Sequence, residues 1–259
     1  LILDAAGRGG LAVAVGERGH VLVSRDGGKS WTQADVPTRA MLTGVHLHDG
    51  KHGWAVGHDE TVLRTRDGGA TWELLRHDPE AENPLLDVWF ADEKRGLAIG
   101  AYGLVLSTRD GGDSWEKGTL VEGDDLHLNA IAPSGGALWV AGEAGALYRS
   151  DDSGESWARV EAPYDGSFFG LLPLADGGLL ALGLRGHVLR TDDGGRTFTR
   201  VDSGTEATLT AGRDLGGGRV AVAGMAGVLL LSADGGRTFR LRELGDRKAA
   251  LALLPGDAS

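Results

Sequence analysis

Six aspartates recur at a near-constant interval: Asp26, Asp67, Asp110, Asp152, Asp193 and Asp234, with spacings of 41, 43, 42, 41 and 41 residues. Each lies in an octet of the form Ser/Thr-x-Asp-x-Gly-x-Ser/Thr-Trp/Phe, from Ser24–Trp31 to Ser232–Phe239. A carboxylate among glycines and hydroxyls can do one of two things. It can ligate a hard cation such as calcium, and Asp151-Asp152-Ser153-Gly154 loosely has that look. The spaced oxygen ligands and the closing Glu of a calcium loop are missing, however. The other role is to accept hydrogen bonds from backbone N–H groups just ahead in a tight turn, and the whole octet suits it. The last Gly supplies a backbone shape that a β-carbon disfavours. The hydroxyls satisfy the remaining turn groups, and the closing Trp or Phe is expected to start the next strand and plug the core. These six aspartates are therefore read as structural. Two other groups draw attention. His46 and His48 place two imidazoles on one face of a strand but lack a third ligand, so no metal site is expected. No Ser-His-Asp signature or Walker loop occurs, and no cofactor is expected.

A period in this range is the mark of a repeat architecture. The second copy shows the unit: strand A at Leu42–Leu47, strand B at Trp54–Gly57, strand C at Thr61–Arg64, the octet, then strand D at Trp72–Leu75. Four short antiparallel strands per repeat make a propeller blade. Strand C carries two adjacent apolar residues in every copy, such as Val62-Leu63 and Val188-Leu189, so both its faces must be buried. Glycines ten residues before each box Asp (Gly16, Gly57, Gly100, Gly142, Gly183, Gly224) and three further on frame the B–C turn, as a turn needing positive φ. Glu60 breaks the second set.

The expected fold is an all-β β-propeller in one domain, 1–259. Its repeats fall near 1–36, 37–78, 79–120, 121–161, 162–202 and 203–244, with a partial repeat at 245–259. Lys248–Leu254 reads as the first strand of a seventh blade. With 37 acidic against 26 basic residues the net charge is −11, which disfavours nucleic acid and anionic membrane surfaces as partners. There is no cysteine, so disulfides and thiolate metal sites are ruled out. No run approaches the roughly 20 apolar residues of a membrane helix. The chain starts at Leu1 and is read as a processed or cropped product.

Topology puts the octets on one edge of the blades and the B–C turns and D–A loops on the other. Binding is expected on that variable edge. The candidates there are Arg18, His58, Asp59, Tyr102, Glu143 and Arg185, together with Phe168 and Phe169. Two adjacent Phe cannot both face one core, which leaves burial between blades and a binding role both open.

The octets resemble the Asp-box, or bacterial neuraminidase repeat. Gly53-Trp54-Ala55-Val56-Gly57 followed by Val62-Leu63-Arg64-Thr65-Arg66-Asp67-Gly68-Gly69 resembles the photosystem II stability and assembly factor family. So does Gly96–Gly100 followed by Val105–Gly112. That family is seven-bladed. The resemblance implies a non-catalytic, monomeric scaffold that binds a protein partner within a membrane-protein complex, from the periplasmic or lumenal side, without inserting into the bilayer. Relatives in bacteria without photosynthesis leave an envelope system as another client. The alternatives within the Asp-box group are a sialidase-like glycoside hydrolase and a carbohydrate-binding receptor module. A sialidase needs an arginine triad, a Tyr nucleophile with a Glu partner and an Asp acid/base. No Arg-Ile-Pro-like segment lies near the N-terminus, and Arg64, Arg149 and Arg190 hold equivalent places in three repeats, as blade surface features. Tyr148 stands where the other copies have Leu, so it reads as packing. An enzyme is not expected.

Overall fold

The computed structural model describes residues 1–245 and 247–254. They form six four-stranded antiparallel sheets, each a meander in chain order. Two compact units hold three sheets each. In unit 1 the sheets are β1 (Ile2–Arg8), β2 (Leu11–Gly16), β3 (Val21–Ser24), β4 (Thr32–Gln33); β5 (Leu42–Leu47), β6 (Gly53–Gly57), β7 (Val62–Thr65), β8 (Glu73–Arg76); and β9 (Leu85–Phe90), β10 (Gly96–Gly100), β11 (Val105–Thr108), β12 (Glu116–Gly118). In unit 2 they are β13 (Leu128–Ser134), β14 (Ala137–Gly142), β15 (Leu147–Ser150), β16 (Ala158–Val160); β17 (Phe168–Pro173), β18 (Leu179–Gly183), β19 (Val188–Thr191), β20 (Thr199–Val201); and β21 (Leu209–Gly216), β22 (Arg219–Gly224), β23 (Val228–Ser232), β24 (Arg240–Glu243). The strands expected for the second repeat agree to within a residue. Among the described residues no helix is long and apolar enough to cross a membrane.

The core lies between sheets rather than within them. Val13, Val15, Val21 and Val23 of the first sheet cluster with Leu42, Val45, Leu47 and Leu63 of the second. Leu172, Leu180 and Leu182 of the fifth cluster with Leu209, Val220, Val222 and Leu230 of the sixth. This is why strands B and C carry apolar residues on both faces.

Each octet closes the C–D turn as expected. In the second copy Thr71 donates its N–H to Asp67 Oδ1 at 2.9 Å and its hydroxyl to Oδ2 at 2.6 Å. The Thr65 hydroxyl donates to Asp67 Oδ1 and accepts from Gly69 N. The same set recurs at Asp26, Asp110, Asp152, Asp193 and Asp234. These bonds hold the carboxylates of Asp110, Asp152 and Asp193 down to about 2. The hydroxyl four residues on is the first cause for Asp110 and Asp152; the Thr197 N–H leads for Asp193.

The last octet Gly has positive φ, as expected (+83° at Gly69, +86° at Gly195), and at Gly69, Gly112, Gly195 and Gly236 it also lies against the preceding sheet. A Cβ on Gly69 would lie 3.0 Å from Val23, one on Gly112 would lie 2.7 Å from Leu75, and one on Gly195 would overlap the Trp139 ring.

Three expectations are corrected. The octet aromatic does not start strand D, which begins one residue later. Only Trp72 is fully buried; the other five are half-buried. Trp31, Trp72 and Trp157 fold back so that Nε1 donates to their own octet Gly carbonyl at 3.0–3.1 Å. Second, the earlier glycine of each B–C pair is not needed for positive φ. Gly16 is extended at φ −177°, and its Cβ would strike the Leu1 carbonyl. Gly57 and Gly100 meet the Met41 and Pro84 carbonyls likewise. Third, Lys248–Leu254 joins no ladder among the described residues. It does take the seat of a strand A: Thr210 Oγ1 donates to Ala250 O at 3.2 Å, as Thr43 does to Leu85 O and Asn129 to Phe168 O. Pro255–Ser259 of the expected partial repeat lie outside the described residues.

Two predictions follow from this packing. Gly195→Ala and Gly136→Ala both put Ala at φ near +85°, but only the first meets a neighbour (φ +86° and +82°; nothing lies within 4 Å at Gly136). Urea unfolding is expected to show about 1 kcal/mol lost for Gly136→Ala and a further 1–3 kcal/mol for Gly195→Ala. Equal losses would mean that the octet Gly serves its turn alone. The second concerns acid. Burial, then His48 and Arg8, lower His46 from 6.5 to about 4. Below pH 6.5 the unfolded chain takes up this proton first, so stability present at pH 7 falls as pH drops towards 4. The unfolding free energy from urea titration should fall between pH 7 and pH 5 by at most about 2 kcal/mol, and less so in His46→Gln. The octet carboxylates act lower, their stabilisation being lost only as pH falls from near 4 through about 2.

Candidate partner-binding rim

The B–C turns share one backbone. In four of them the tip is a single 3-10 turn: Glu17–Gly19, Ala101–Gly103, Leu184–Gly186 and Met225–Gly227. The residue before the second Gly is left-handed without being Gly: Arg18, Tyr102, Arg185 and Ala226 have φ of 54–57°. Asp59 and Ala144 hold the same place in the other two turns, at φ +59° and +50°. The side chain at each tip is thereby aimed by the backbone.

The second Gly is also a point of close approach. Gly19 N donates to Ala40 O at 2.9 Å, and a Cβ there would sit 2.3 Å from Thr38 O. Gly145 N donates to Gly166 O at 2.8 Å. B–C turns and D–A loops therefore share one edge. The octets share the opposite edge with the A–B turns, as the Gly68 N to Lys51 O bond shows.

In unit 1 the loop at 36–40 separates two open clefts. One, of about 370 Å³, is lined by Arg18, His20, Asp35 and Arg39. The other, of about 620 Å³, is lined by Arg39, Asp59, Leu74 and His77. Arg18 and Asp59 are thus brought to either side of one loop. His58 is exposed beside Asp59. Tyr102 stands 65% exposed at the next tip and lines neither cleft.

Glu60 replaces the Gly of its turn. It keeps the left-handed backbone, φ +46°, but is fully buried. Arg76 forms an ion pair with it and Lys117 Nζ lies 3.3 Å away. Lys117 belongs to the neighbouring sheet, so this carboxylate ties two sheets together on the rim. The break in the Gly pattern was the available signal; the partners, 16 and 57 residues away, gave none.

In unit 2 Glu143 is half-buried, with Oε2 3.3 Å from the His127 N–H that it accepts. Tyr164 stacks on His187 at 4.2 Å and donates its hydroxyl to Leu184 O. That bond fastens the D–A loop to the turn carrying Arg185, which is exposed. The two Phe part company. Phe168 is fully buried against Leu147 and Leu189, so it is removed from the binding candidates. Phe169 occupies the bulge between Phe168 and Gly170 and is 37% exposed.

Of the three arginines compared above with a catalytic triad, Arg149 is part-exposed and pairs with its neighbour Asp151, whereas Arg64 and Arg190 are not surface features. Arg64 is 4% exposed: it donates to Gly111 O and pairs with Glu73 and Asp113 at 2.9 and 2.8 Å. Arg190, 3% exposed, reaches the Gly235 carbonyl and pairs with Asp176 and Asp192. Each grips the octet of the following sheet. Tyr148 is buried and donates to Asp124, as a packing residue.

Comparison with known proteins places this architecture. The model of the family described as photosynthesis system II assembly factor YCF48 matches residues 23–83 and 77–167, more than half of the chain. The chain belongs to this family. A photosystem II assembly protein Ycf48 from Synechococcus sp. (strain JA-2-3B'a(2-13)) is 37% identical over 139 residues, which is 51% of this chain and 41% of that relative. The match thus spans less than half the relative's length. A solved structure of YCF48 bound to D1 peptide superposes with a TM-score of 0.74 at 21% identity, covering 93% of this chain and 80% of that one. An ancestral GH74 enzyme gives the same TM-score at 13% identity, over 93% of this chain and 38% of the enzyme. Both likenesses show the six blades to be in a propeller arrangement, and show the fold alone.

The adjacent Phe residues give a paired prediction. Phe168→Ala is expected to cost about 3–5 kcal/mol in urea unfolding, and Phe169→Ala less than about 1 kcal/mol. A large loss for Phe169 would make it a packing residue.

Proposed function

We propose that this chain is a non-catalytic propeller scaffold that docks a protein partner on the rim of B–C turns and D–A loops, in the assembly of a photosystem II-type membrane complex. The observation that carries this is the division of labour between edges. On the octet edge the repeated carboxylates are consumed by their own turns. On the other edge Arg18, Tyr102 and Arg185 project from fixed left-handed tips, with Phe169 exposed nearby in sequence order. Family membership and a related YCF48 bound to D1 peptide support a peptide segment of a protein partner as the occupant. The net charge of −11 argues against nucleic acid and against direct adsorption to anionic lipid. The reading includes a periplasmic or lumenal location and a monomer. It gives no catalytic role to Arg64 or Arg190, whose charges are neutralised within the fold.

The test is binding of a fluorescent D1 peptide, followed by anisotropy, with the chain and with Arg18→Glu, Tyr102→Ala, Arg185→Glu and Phe169→Ala. At least one substitution is expected to weaken binding tenfold or more while leaving the unfolding midpoint in place. Binding equal in all four variants would remove the rim from the proposal. Turnover of a sialic acid reporter that is lost in Tyr102→Phe or Tyr164→Phe would overturn the non-catalytic reading.

A further inference from the structure

We propose a site for a divalent transition-metal ion of the zinc type at Asp49, His52 and Glu93, on the octet edge of unit 1 and away from the rim. Asp49 and His52 lie in the A–B turn between β5 and β6. Glu93 lies in the equivalent turn between β9 and β10 of the next sheet. The carboxylates are arranged around one atom. Asp49 Oδ1 is occupied by the N–H groups of Lys51 and His52 at 2.7 and 2.6 Å. That leaves Oδ2 turned to His52 Nδ1, 3.0 Å away. Glu93 Oε1 approaches the same Nδ1 from the neighbouring sheet, at 3.5 Å. The three potential ligand atoms all lie within 4.8 Å of one another.

An imidazole nitrogen carries one proton at most, so it cannot make two good linear hydrogen bonds. Two carboxylate oxygens converging on a single nitrogen are better served by a cation among the three atoms. The spacing fits this. Zinc binds His nitrogen and carboxylate oxygen at about 2.0–2.2 Å in a tetrahedron, which sets neighbouring ligand atoms roughly 3.3–3.6 Å apart. The 3.5 Å between His52 and Glu93 falls in that window, and the 3.0 Å between His52 and Asp49 needs to open by only a few tenths of an ångström. The donor set of one nitrogen and two oxygens suits zinc, whereas magnesium and calcium take six or more oxygens. His52 is 22% exposed and Glu93 59%, so a fourth position is open to water.

The position has a structural consequence. The two A–B turns hold the octets of their own sheets through Gly68 N to Lys51 O and Gly111 N to Lys94 O, at 2.9 and 2.8 Å. A bound ion fixes both turns together, and with them two octets in adjacent sheets.

The experiment is calorimetric titration of the chelator-treated full chain with zinc chloride, with thermal unfolding in parallel. One ion per chain is expected, with a melting temperature raised by roughly 5–10 °C at a hundredfold excess over Kd. Magnesium chloride should leave it unmoved. Glu93→Gln and Asp49→Asn keep the turns, since Glu93 is exposed and Asn retains the acceptor of the backbone bonds. Each should weaken zinc binding at least tenfold, as should His52→Gln. No heat of binding, or binding of equal strength in all three variants (an adventitious ion only, at another imidazole such as His48), overturns the proposal.

Discussion

The structure depends on a hydrogen-bond latch that must be satisfied within eight residues. Each C–D turn would leave several backbone N–H groups pointing inward without partners, at a cost of about 1–3 kcal/mol for each that is shut off from water. One carboxylate and two hydroxyls remove that cost. The hydroxyl two residues before each Asp is the pivot, because it donates to the carboxylate and accepts from the glycine N–H at once. With the turn closed locally, its glycine face is smooth enough to lie on the preceding sheet. A β-carbon there would meet Val23, Leu75, Trp139 or Leu180. The latch and the inter-sheet contact are therefore one device.

The arginine clamps extend that device. A buried guanidinium is expensive unless paired, and Arg64 is supplied with two carboxylates and a carbonyl. The carbonyl belongs to the octet of the next sheet, so the sheets are held by directed bonds as well as by Val and Leu surface. Trp54 adds its own N–H to that same Gly111 carbonyl at 2.9 Å, and stacks on Phe90 at 3.5 Å. Glu60 is the counterpart on the opposite edge: a buried anion answered by cations from its own and the neighbouring sheet. Adhesion between the second and third sheets thus has a polar anchor at either end of the apolar filling.

Much of this was legible because it is local. The octet period and the double apolar residues of strand C repeat six times and the paired glycines five, so each copy checks the others. The misreadings come where tertiary contacts choose between local options. An octet Trp can start a strand or fold over its own turn, and the indole N–H finds the Gly carbonyl only in the second case. Phe168 and Phe169 were correctly set against each other, but a bulge in the ladder, invisible in the sequence, decided which one faces out. Arg64 and Arg190 read as surface residues because the octet carbonyls they reach lie 47 and 45 residues further along the chain. Gly16 and Gly57 were credited to turn conformation, whereas a neighbouring carbonyl is what excludes a side chain there.

The rim follows from the same economy. Once the octets hold the sheets, the opposite edge is free to vary, and the left-handed tip residue is where variation is displayed. Arg18, Asp59, Tyr102, Ala144, Arg185 and Ala226 occupy one backbone position with cationic, anionic, aromatic and small side chains. A non-glycine residue in that conformation costs on the order of 1 kcal/mol, yet it fixes the direction of the side chain before any partner arrives. Fixed direction lowers the ordering cost of association. Within each unit the tips therefore differ in chemistry while sharing one backbone, so the direction of the side chain is set by the turn and its character by a single residue.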